Sequence, residues 1–331
     1  MPSDNLTDRE RKRLDRFERM QQNRRGRTSP AVMPSKLART AAFAPRKKNL
    51  VTDSNFKRVY EFRPHTVVEV SGRELGTQHR DALYALFKLR AKRTEEPNPL
   101  YNPNISAVGL KAPKPTLIYY HTLTTWREIL KATGRTAHVN NLGTVLRTFE
   151  EMRKVNFRVY TGTFDQYQAA SKRGRLAGPG FSDNLLNEIE WSGIELDSPV
   201  RVRYGAWVKE MFETKTLVSV DSEVYFKLKS DYAKSLWPAI DSQNSYSWID
   251  VEAVAELSGL EYASLTTRQK VKLREETRQA FDDMVAAGGL AEWRCEQTGS
   301  GRIKGYRYHY VHAAPRQGVL DLLISEDDLS Y

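Results

Sequence analysis

Cysteine is almost absent from the sequence, in which Cys295 is the single thiol among 331 residues. One cysteine can form neither an intramolecular disulfide nor the clustered thiolates of a zinc ribbon, so a reducing compartment is expected. Apolar runs are short as well, and none approaches the ~20 residues that a membrane-spanning helix needs. The charged N-terminus contains no apolar signal segment. The sequence therefore predicts a cytoplasmic protein.

Sequence patterns for catalysis are also missing. No Gly-x-x-x-x-Gly-Lys-Ser/Thr phosphate loop occurs, and Gly178-Pro179-Gly180 is typical of a surface loop. His309 and His312 stand one residue further apart than the metal-binding pair of a rolling-circle nicking enzyme, and a strand would place them on opposite faces. The acidic residues form no convincing metal cluster in the sequence. We therefore expect no catalytic activity, no cofactor and no metal.

Negative charge is scarce near the N-terminus. Residues 1–50 contain 14 Lys or Arg and 5 Asp or Glu, a net charge of +9, whereas the other 281 residues contain 38 and 36. Because apolar residues are few there, the sequence predicts a flexible, disordered basic arm over residues 1–50. A basic arm favours a polyanionic partner such as nucleic acid.

Two stretches of the chain repeat one order of predicted elements. The first begins with a helix over residues 78–93. A short helix capped by Thr124 and stopped by Gly134 comes next. A longer helix over residues 137–154 and a strand over residues 155–160 follow.

The second stretch has the same order. A helix over residues 231–242 precedes a short helix over residues 250–257, which Gly259 stops, and a longer helix over residues 267–287. Two strands within residues 290–311 then flank a loop. Helix, short helix, longer helix and hairpin is the winged-helix order, and the third helix of that fold can lie in the DNA major groove.

The sequence therefore predicts an α+β fold of two tandem winged-helix DNA-binding domains with a flexible basic N-terminal arm. Within the first domain, further strands are expected at residues 185–194, 200–208 and 216–220. The predicted parts are an arm over residues 1–50, a first winged-helix domain with loop insertions over residues 51–229, a second winged-helix domain over residues 230–312, and an acidic tail over residues 313–331.

Basic residues on the helix over residues 267–287 are the strongest candidates for DNA contact. Arg and Lys suit guanine O6 and N7, and Gln suits adenine. An ordinary solvated helix face is the alternative explanation of this charge. The candidates are Arg268, Lys270, Lys272, Arg274, Arg278 and Gln279.

Two further groups of residues are expected at the DNA. At the tip of the second hairpin, Arg302 and Lys304 stand near glycines that suit a flexible loop beside phosphates. On the longer helix of the first domain, neutral residues surround one arginine. They could read bases or lie on phosphates through the helix N-terminus, and a plain polar face is the alternative. These candidates are His138, Asn140, Asn141 and Arg147.

Several segments, taken in order along residues 37–312, resemble TrfA-like plasmid replication initiators. The likeness is interrupted by insertions in the loops at residues 93–115 and 161–215, and it depends on the order of the segments rather than on one diagnostic motif. The segments are Leu37–Phe43, Arg46–Lys48, Ser71–Leu75, Thr122–Trp126, the helix through Arg147, Thr267–Arg268, Val271–Glu275 and Phe281–Trp293.

The resemblance implies a sequence-specific initiator that binds repeated origin sites, called iterons, in double-stranded DNA. Such initiators open adjacent AT-rich DNA with host DnaA and recruit the replicative helicase. Their second winged helix reads the major groove. The residues that match its basic helix are Arg268, Lys270, Lys272, Arg274 and Arg278.

The resemblance also implies self-association. In related initiators the first winged-helix domain carries a dimer interface, which in this chain would involve the strand near Leu217–Val220. Monomers initiate replication, whereas dimers repress it or couple origins, which controls plasmid copy number. The implied location is the bacterial cytoplasm, in association with the nucleoid or a plasmid.

Two other functions remain open at the level of the sequence. A winged-helix transcriptional regulator would share every DNA-binding residue and would bind an operator without tandem repeats. A rolling-circle nicking enzyme would cleave single-stranded origin DNA with a metal ion, and the absence of its motif argues against it.

Overall fold

The computed structural model describes residues 30–38, 42–53, 55–62, 65–99, 101, 115–243, 247–299 and 305–313. The part of the predicted arm before residue 30 lies outside these ranges, and so does the predicted acidic tail after Ala313. Helices and antiparallel strands both occur in the described residues, as the predicted α+β class requires.

The helices of the described residues are numbered here along the chain. Val139–Asn141 and Tyr262–Ser264 each form a single 3₁₀ turn. The α-helices are α1 (Ser35–Ala38), α2 (Thr77–Lys88), α3 (Trp126–Ala132), α4 (Leu142–Arg153), α5 (Phe164–Lys172), α6 (Ala206–Glu213), α7 (Ser222–Lys227), α8 (Asp231–Asp241), α9 (Val251–Leu257) and α10 (Thr267–Ala286).

The strands pair into antiparallel sheets whose orders are β1-β10, β11-β13-β12, β2-β3-β6-β7 and β4-β5-β9-β8. Their bounds are β1 (Pro30–Pro34), β2 (Phe56–Phe62), β3 (Thr66–Gly72), β4 (Lys92–Pro97), β5 (Thr116–Thr125), β6 (Asn156–Thr161), β7 (Gly180–Asn184), β8 (Leu186–Trp191), β9 (Pro199–Tyr204), β10 (Leu217–Asp221), β11 (Trp248–Asp250), β12 (Leu290–Thr298) and β13 (Gly305–His312).

The chain divides into two compact units. The unit called here the C-terminal unit contains the described residues up to Leu50, Leu75–Arg80 and the described residues from Leu217 onward. The central unit contains Val51–Glu74 and Asp81–Thr216. The sequence placed the boundary after residue 229, whereas β10 and α7 belong to the C-terminal unit, because their apolar side chains are buried in its core.

The described residues between Pro30 and Leu50 do not form a disordered arm, so this part of the prediction is wrong. All five residues of β1 pair with β10. Ala31 and Met33 are buried and Val32 is exposed, which is the period of two of a strand with one covered face. The net charge of the segment concealed this short alternation. Strand β10 therefore has one edge covered by the same chain, in the region that was expected to form the dimer interface.

The same segment is held further along by Phe43. Its buried ring lies 5.4 Å from the guanidinium carbon of Arg80, and Arg80 Nη2 donates a hydrogen bond to the Phe43 carbonyl oxygen at 2.7 Å. Arg80 itself is 2% exposed. Because a buried guanidinium is costly without such partners, this contact fixes the segment to the start of α2.

The C-terminal unit has the winged-helix order. Elements α8, β11, α9, α10, β12 and β13 follow one another, and the sheet order β11-β13-β12 places the last strand in the middle. The Phe281 ring of α10 stacks on Tyr308 of β13 at a centroid distance of 5.4 Å. A Cβ at Gly289 would lie 2.5 Å from the Trp237 ring, so α8 packs against the backbone of the turn between α10 and β12.

The central unit repeats this order with additions. Elements α2, β5, α3, α4, β8 and β9 follow one another, and β5, β9 and β8 stand in the same spatial order as β11, β13 and β12. Strand β4 extends the sheet beyond β5. The prediction of two winged-helix folds is therefore confirmed.

The two short helices also end in the same way. Gly134 and Gly259 follow α3 and α9 with φ values of 68° and 73°. The next amide donates back to the carbonyl five residues earlier, from Arg135 to Leu130 and from Leu260 to Ala255. This is the hydrogen-bond pattern of a glycine C-cap. At the start of α3, the N-cap is Thr125 rather than the expected Thr124.

A module of β6, α5 and β7 is inserted between α4 and β8, and it pairs with β3 rather than with the winged-helix hairpin. The sequence had placed residues 155–160, 185–194 and 200–208 in one sheet. The hairpin is instead β8-β9, and the chain turns helical again from Ala206. Alternating hydrophobicity identified the strands but not their partners, because it reports which face is covered and not which edge is paired.

A buried carboxylate fastens α5 to its sheet. Glu69 is 4% exposed and accepts hydrogen bonds from the Tyr167 hydroxyl at 2.5 Å and from Lys57 Nζ at 2.7 Å. Arg158 Nη1 lies 3.3 Å from its other oxygen. Burial alone would raise the pKa of Glu69, but the hydrogen bonds from Lys57 and Tyr167 hold it below its usual value.

Candidate nucleic-acid interface

Helix α10 begins at a well-formed N-cap. The Thr266 hydroxyl accepts the Gln269 amide at 3.3 Å, and the Gln269 side chain accepts the Thr266 amide at 2.9 Å. This capping box satisfies two amides that the first turn leaves without helical partners. The first turn contains no acidic residue. The helix N-terminus is therefore defined in position and carries no charge that would repel a phosphate.

Charge is divided sharply along α10. Residues 268–274 contain four Lys or Arg and no acid, whereas residues 275–283 contain four Asp or Glu and one arginine. Two of those acids have structural partners. Asp283 accepts the amides of Lys229 and Ser230 at 2.7 and 2.8 Å, and Asp282 accepts Trp293 Nε1 at 2.8 Å. The basic half of the helix is thus the half that can approach a polyanion.

The outward face of α10 is a stripe at helical spacing. The candidates Arg268, Lys272, Arg278 and Gln279 are exposed, while Leu273, Thr277, Ala280, Phe281 and Met284 form the buried face. The stripe also contains two residues that were not chosen as candidates. Val271 is 38% exposed, and an apolar side chain there suits a thymine methyl group. Glu275 is exposed and could accept from cytosine N4.

Lys270 and Arg274 are half-buried and lie against aromatic rings. Lys270 Nζ is 4.8 Å from the Tyr262 ring centre, and the Arg274 guanidinium carbon is 4.4 Å from that of Tyr306. Burial raises the pKa of the Tyr262 phenol, as does the charge of Glu252, while Arg274 opposes the shift. These two cations are oriented by their neighbours and are therefore less free than Lys272 to reach base edges.

The hairpin beside α10 is attached to β11. Arg307 Nε donates to Asp250 Oδ1 at 2.8 Å, and its guanidinium carbon lies 3.9 Å from the Trp248 ring centre. Strand β11 was not predicted, because three residues are too few for a visible alternation. The expected wing residues Arg302 and Lys304 lie outside the described ranges, so their contact with phosphates stays a prediction.

On the central unit, the predicted candidates lie at the start of α4. His138 Nδ1 accepts the Asn140 amide at 3.1 Å, and Asn141 Nδ2 donates to the Thr136 carbonyl at 2.8 Å. Both side chains therefore shape the turn before the helix. Asn140 and Arg147 are exposed and are the two candidates that a ligand can reach most directly.

The α4 surface is less basic than that of α10. Thr148 is 6% exposed and donates to the Thr144 carbonyl at 2.8 Å. Helix α4 begins at Leu142 rather than at residue 137, and a 3₁₀ turn precedes it. Residues before Leu142 therefore do not continue the faces of α4 at helical spacing. The central unit thus offers few direct base-reading groups.

The hairpin of the central unit differs from a phosphate-binding wing. Its turn over residues 192–198 contains Glu195 and Asp197 and no basic residue. Asp197 accepts two hydrogen bonds from Arg127 at 2.6 and 2.8 Å. Trp191 and Ile194 are 44% and 71% exposed. An acidic, partly apolar turn repels phosphates, so this wing does not match the one expected at the second hairpin.

The remaining sequence candidates are dispersed. His309 Nε2 donates to a Glu296 carboxylate oxygen at 2.8 Å on the outer face of β13, while His312 lies against Tyr310 on the other face. Within the described residues, no three His, Cys, Asp or Glu side chains are arranged to hold a metal ion. Every helix in the same ranges is too short or too polar to span a bilayer.

No protein-family model and no curated protein sequence matches the chain. Solved structures are similar to it. Selenomethionine derivatives of domains 2 and 3 of RctB are 12% identical, with a TM-score of 0.47 over 84% of this chain and 98% of that chain. Another crystal structure of RctB domains 2–3 is 10% identical, with a TM-score of 0.45 over 84% and 97%.

The Pi initiator protein in complex with iteron DNA is 12% identical to this chain, with a TM-score of 0.41 over 58% of this chain and 81% of that chain.

Proposed function

We propose that the protein is a replication initiator of the plasmid type, which binds repeated origin sequences in double-stranded DNA and acts without catalysis of its own. The observation that carries the proposal is α10. Its capped N-terminus, its basic first half and its exposed stripe of Arg268, Lys272 and Gln279 belong to the third helix of a winged-helix fold. That helix is the one that enters the major groove in such folds.

The tandem arrangement supports binding at repeated or composite sites. Each unit contributes one winged-helix fold, and joining two modest contacts in one chain raises the effective local concentration of the second. The residues proposed to contact DNA are those predicted from the sequence, with Val271 and Glu275 added. Opening of adjacent AT-rich DNA with host DnaA, helicase recruitment, dimerisation and a cytoplasmic location with the plasmid belong to the same proposal.

Selection from a random duplex library with the full chain tests this function. We expect the selected sequences to converge on one motif, and we expect direct repeats of that motif beside an AT-rich stretch near the gene. The α10 variant with Lys272→Ala and Gln279→Ala should lose selectivity, whereas Lys227→Ala, an exposed lysine elsewhere in the C-terminal unit, should keep it. Selected sequences without any common motif would contradict the proposal.

A transcriptional regulator is distinguished by the arrangement of sites. A regulator requires one operator, whereas an initiator requires several repeats in phase and origin opening. Permanganate reactivity of thymines next to the repeats, measured with and without the protein and DnaA, separates the two functions.

A further inference from the structure

A basic loop on the central unit is not used by the proposed function. Residues 172–176, called here the basic loop, begin at the last residue of α5 and read Lys-Arg-Gly-Arg-Leu. All five are exposed, and no acidic residue lies among them. Leu176 is 83% exposed, more than any other large apolar residue in the described ranges.

The backbone of this loop is fixed by hydrogen bonds. The Arg173 and Arg175 amides both donate to the Ala170 carbonyl, at 3.0 and 2.9 Å, and Gly174 between them has a φ of 62°. On the return, the Thr161 amide donates to the Pro179 carbonyl at 2.9 Å. The loop therefore projects its side chains from a defined base, which lowers the entropy lost when they bind.

A helix C-terminus accounts for part of this composition but not for all of it. Cations are favourable there, because the last carbonyl groups carry partial negative charge. That explanation gives no reason for a large, fully projecting leucine beside the arginines. Arginine beside an exposed apolar side chain is a combination that minor-groove binders use. The guanidinium enters a narrow A·T-rich groove, and the apolar group wedges between base pairs and bends the duplex.

We propose that the basic loop is a minor-groove wedge. Arg173 and Arg175 enter the groove, Lys172 lies on the adjacent phosphates, and Leu176 inserts at a flexible step such as TA. The proposal rests on the proposed binding of double-stranded DNA and adds a second mode of contact to it. It would give the protein a direct means of unstacking A·T-rich DNA.

The position of the loop within the central unit is compatible with this role. Strand β6 begins three residues after α4 ends and leads to Thr161, at the base of the loop. Its six residues span about 20 Å at 3.3 Å each. The loop base is therefore within about one DNA helical turn, 34 Å, of the end of α4.

Two 60-base-pair duplexes, one A·T-rich with TA steps and one G·C-rich, test the wedge with the full chain. Each contains 2-aminopurine, whose fluorescence rises on unstacking, and end labels that report bending. We expect the protein to raise the fluorescence and bend the A·T-rich duplex. Leu176→Ala should lose at least half of both signals while affinity changes about two- to threefold, because the wedge mainly deforms the DNA.

Arg173→Ala with Arg175→Ala should reduce the preference for the A·T-rich duplex about three- to tenfold. Lys172→Ala should weaken both duplexes equally and lower the salt slope by about one. Leu123→Ala, at a half-exposed leucine of β5, and Lys215→Ala, at an exposed lysine of the same unit, are the matched controls and should match the parent protein.

The inference is overturned if the Leu176 and double arginine variants keep the parent fluorescence, bend and A·T preference. The inference is equally overturned if these variants lose binding to another protein while their behaviour on DNA is unchanged. Failure of the proposed function is a separate result, since it would appear as unchanged selectivity in the Lys272 and Gln279 variant. A folded state common to all variants, checked by circular dichroism, excludes loss of structure as the cause.

Discussion

The guanidinium carbon of Arg274 lies 4.4 Å from the centre of the Tyr306 ring. Arg274 belongs to α10 and Tyr306 to β13, so one cation joins the two elements that approach DNA in a winged-helix fold. Its neighbour Lys272, two positions earlier, is exposed. Two basic residues that look equivalent in the sequence therefore have different environments.

Replacing Lys272 by Ala should relax sequence discrimination. Its side chain is exposed on the outward stripe, so it can reach a base edge, and a good contact of this kind is worth about 1–3 kcal/mol. Affinity for the selected motif should fall by that amount, while affinity for random duplex changes little. Fluorescence anisotropy with the motif and with each single-base variant measures the effect. An equal loss on all duplexes would assign Lys272 to phosphate instead.

Replacing Arg274 by Ala should act on both kinds of DNA. Loss of the ring contact removes one attachment between α10 and the hairpin, so the selected and random duplexes should both bind more weakly, by about 1 kcal/mol. Arg274→Lys should recover part of the loss, because a lysine can still lie over Tyr306. A defect confined to the selected motif, with no change in the hairpin's protection from proteolysis, would contradict this assignment.

Replacing Gly289 by Ala should destabilise the C-terminal unit. The added Cβ would lie 2.5 Å from the Trp237 ring and 2.7 Å from a Val224 methyl group. Because these neighbours are buried, the core must shift, and overpacking of this kind costs about 1–3 kcal/mol. Urea unfolding measures the change. Gly134→Ala, where a Cβ meets nothing within 4 Å but φ is 68°, is the control that separates crowding from backbone strain.

Stability on the acid side should depend on Glu69. Its pKa is lowered in the folded state, so its contribution is complete above the unfolded value of about 4.3 and is lost as pH falls through the folded value. Glu69→Gln should cost about 1–3 kcal/mol at pH 7, since it removes hydrogen bonds to charged partners. The difference between parent and variant should shrink below about pH 4. Thermal unfolding of both proteins from pH 3 to pH 7 measures this difference in stability. A difference that stays constant over that range would refute the prediction.

Deleting residues 2–29 should lower DNA affinity without changing specificity. These residues carry nine Lys or Arg and five Asp or Glu, and a basic segment adds phosphate contacts that do not read bases. Selected and random duplexes should weaken together, with smaller salt slopes. A loss of origin opening or helicase loading alone would instead indicate a partner-binding segment.

Deletion to residue 36 is the informative comparison, because it also removes β1. Ala31 and Met33 would no longer cover their part of the core, and β10 would lose its partner. We therefore expect this longer deletion to lower the unfolding temperature.

The winged-helix order was visible in the sequence because it depends on local signals. The stop glycines at 134 and 259, the capping residues and the helical periodicity of α10 each act within a few residues. The strand pairings were not visible, since β6 could have joined either sheet of the central unit. The role of β1 was hidden for another reason: its apolar alternation covers five residues inside a strongly basic stretch.

The candidate site was predicted in the same uneven way. Exposure along α10 followed from its period of 3.6, and four of its six candidates are indeed exposed. The ring contacts of Lys270 and Arg274 could not be foreseen from helical periodicity, because neither ring belongs to α10. Tyr262 lies in the 3₁₀ turn before the helix, and Tyr306 lies in the hairpin after it. The structural use of His138 and Asn141 depends on a 3₁₀ turn that was read as regular helix.

The pairing of β1 with β10 has a consequence for biosynthesis. Because the C-terminal unit uses residues on both sides of the central unit, the ribosome releases all of the central unit before the other can be completed. Strand β1 cannot pair until β10 is synthesised from Leu217 onward. The hairpin of the C-terminal unit is complete only once His312 is synthesised. At 5–20 residues per second, about 95 residues of synthesis separate those two points, or roughly 5–20 s. A chain cut short by premature termination would thus contain the central unit without the helix proposed to recognise the origin.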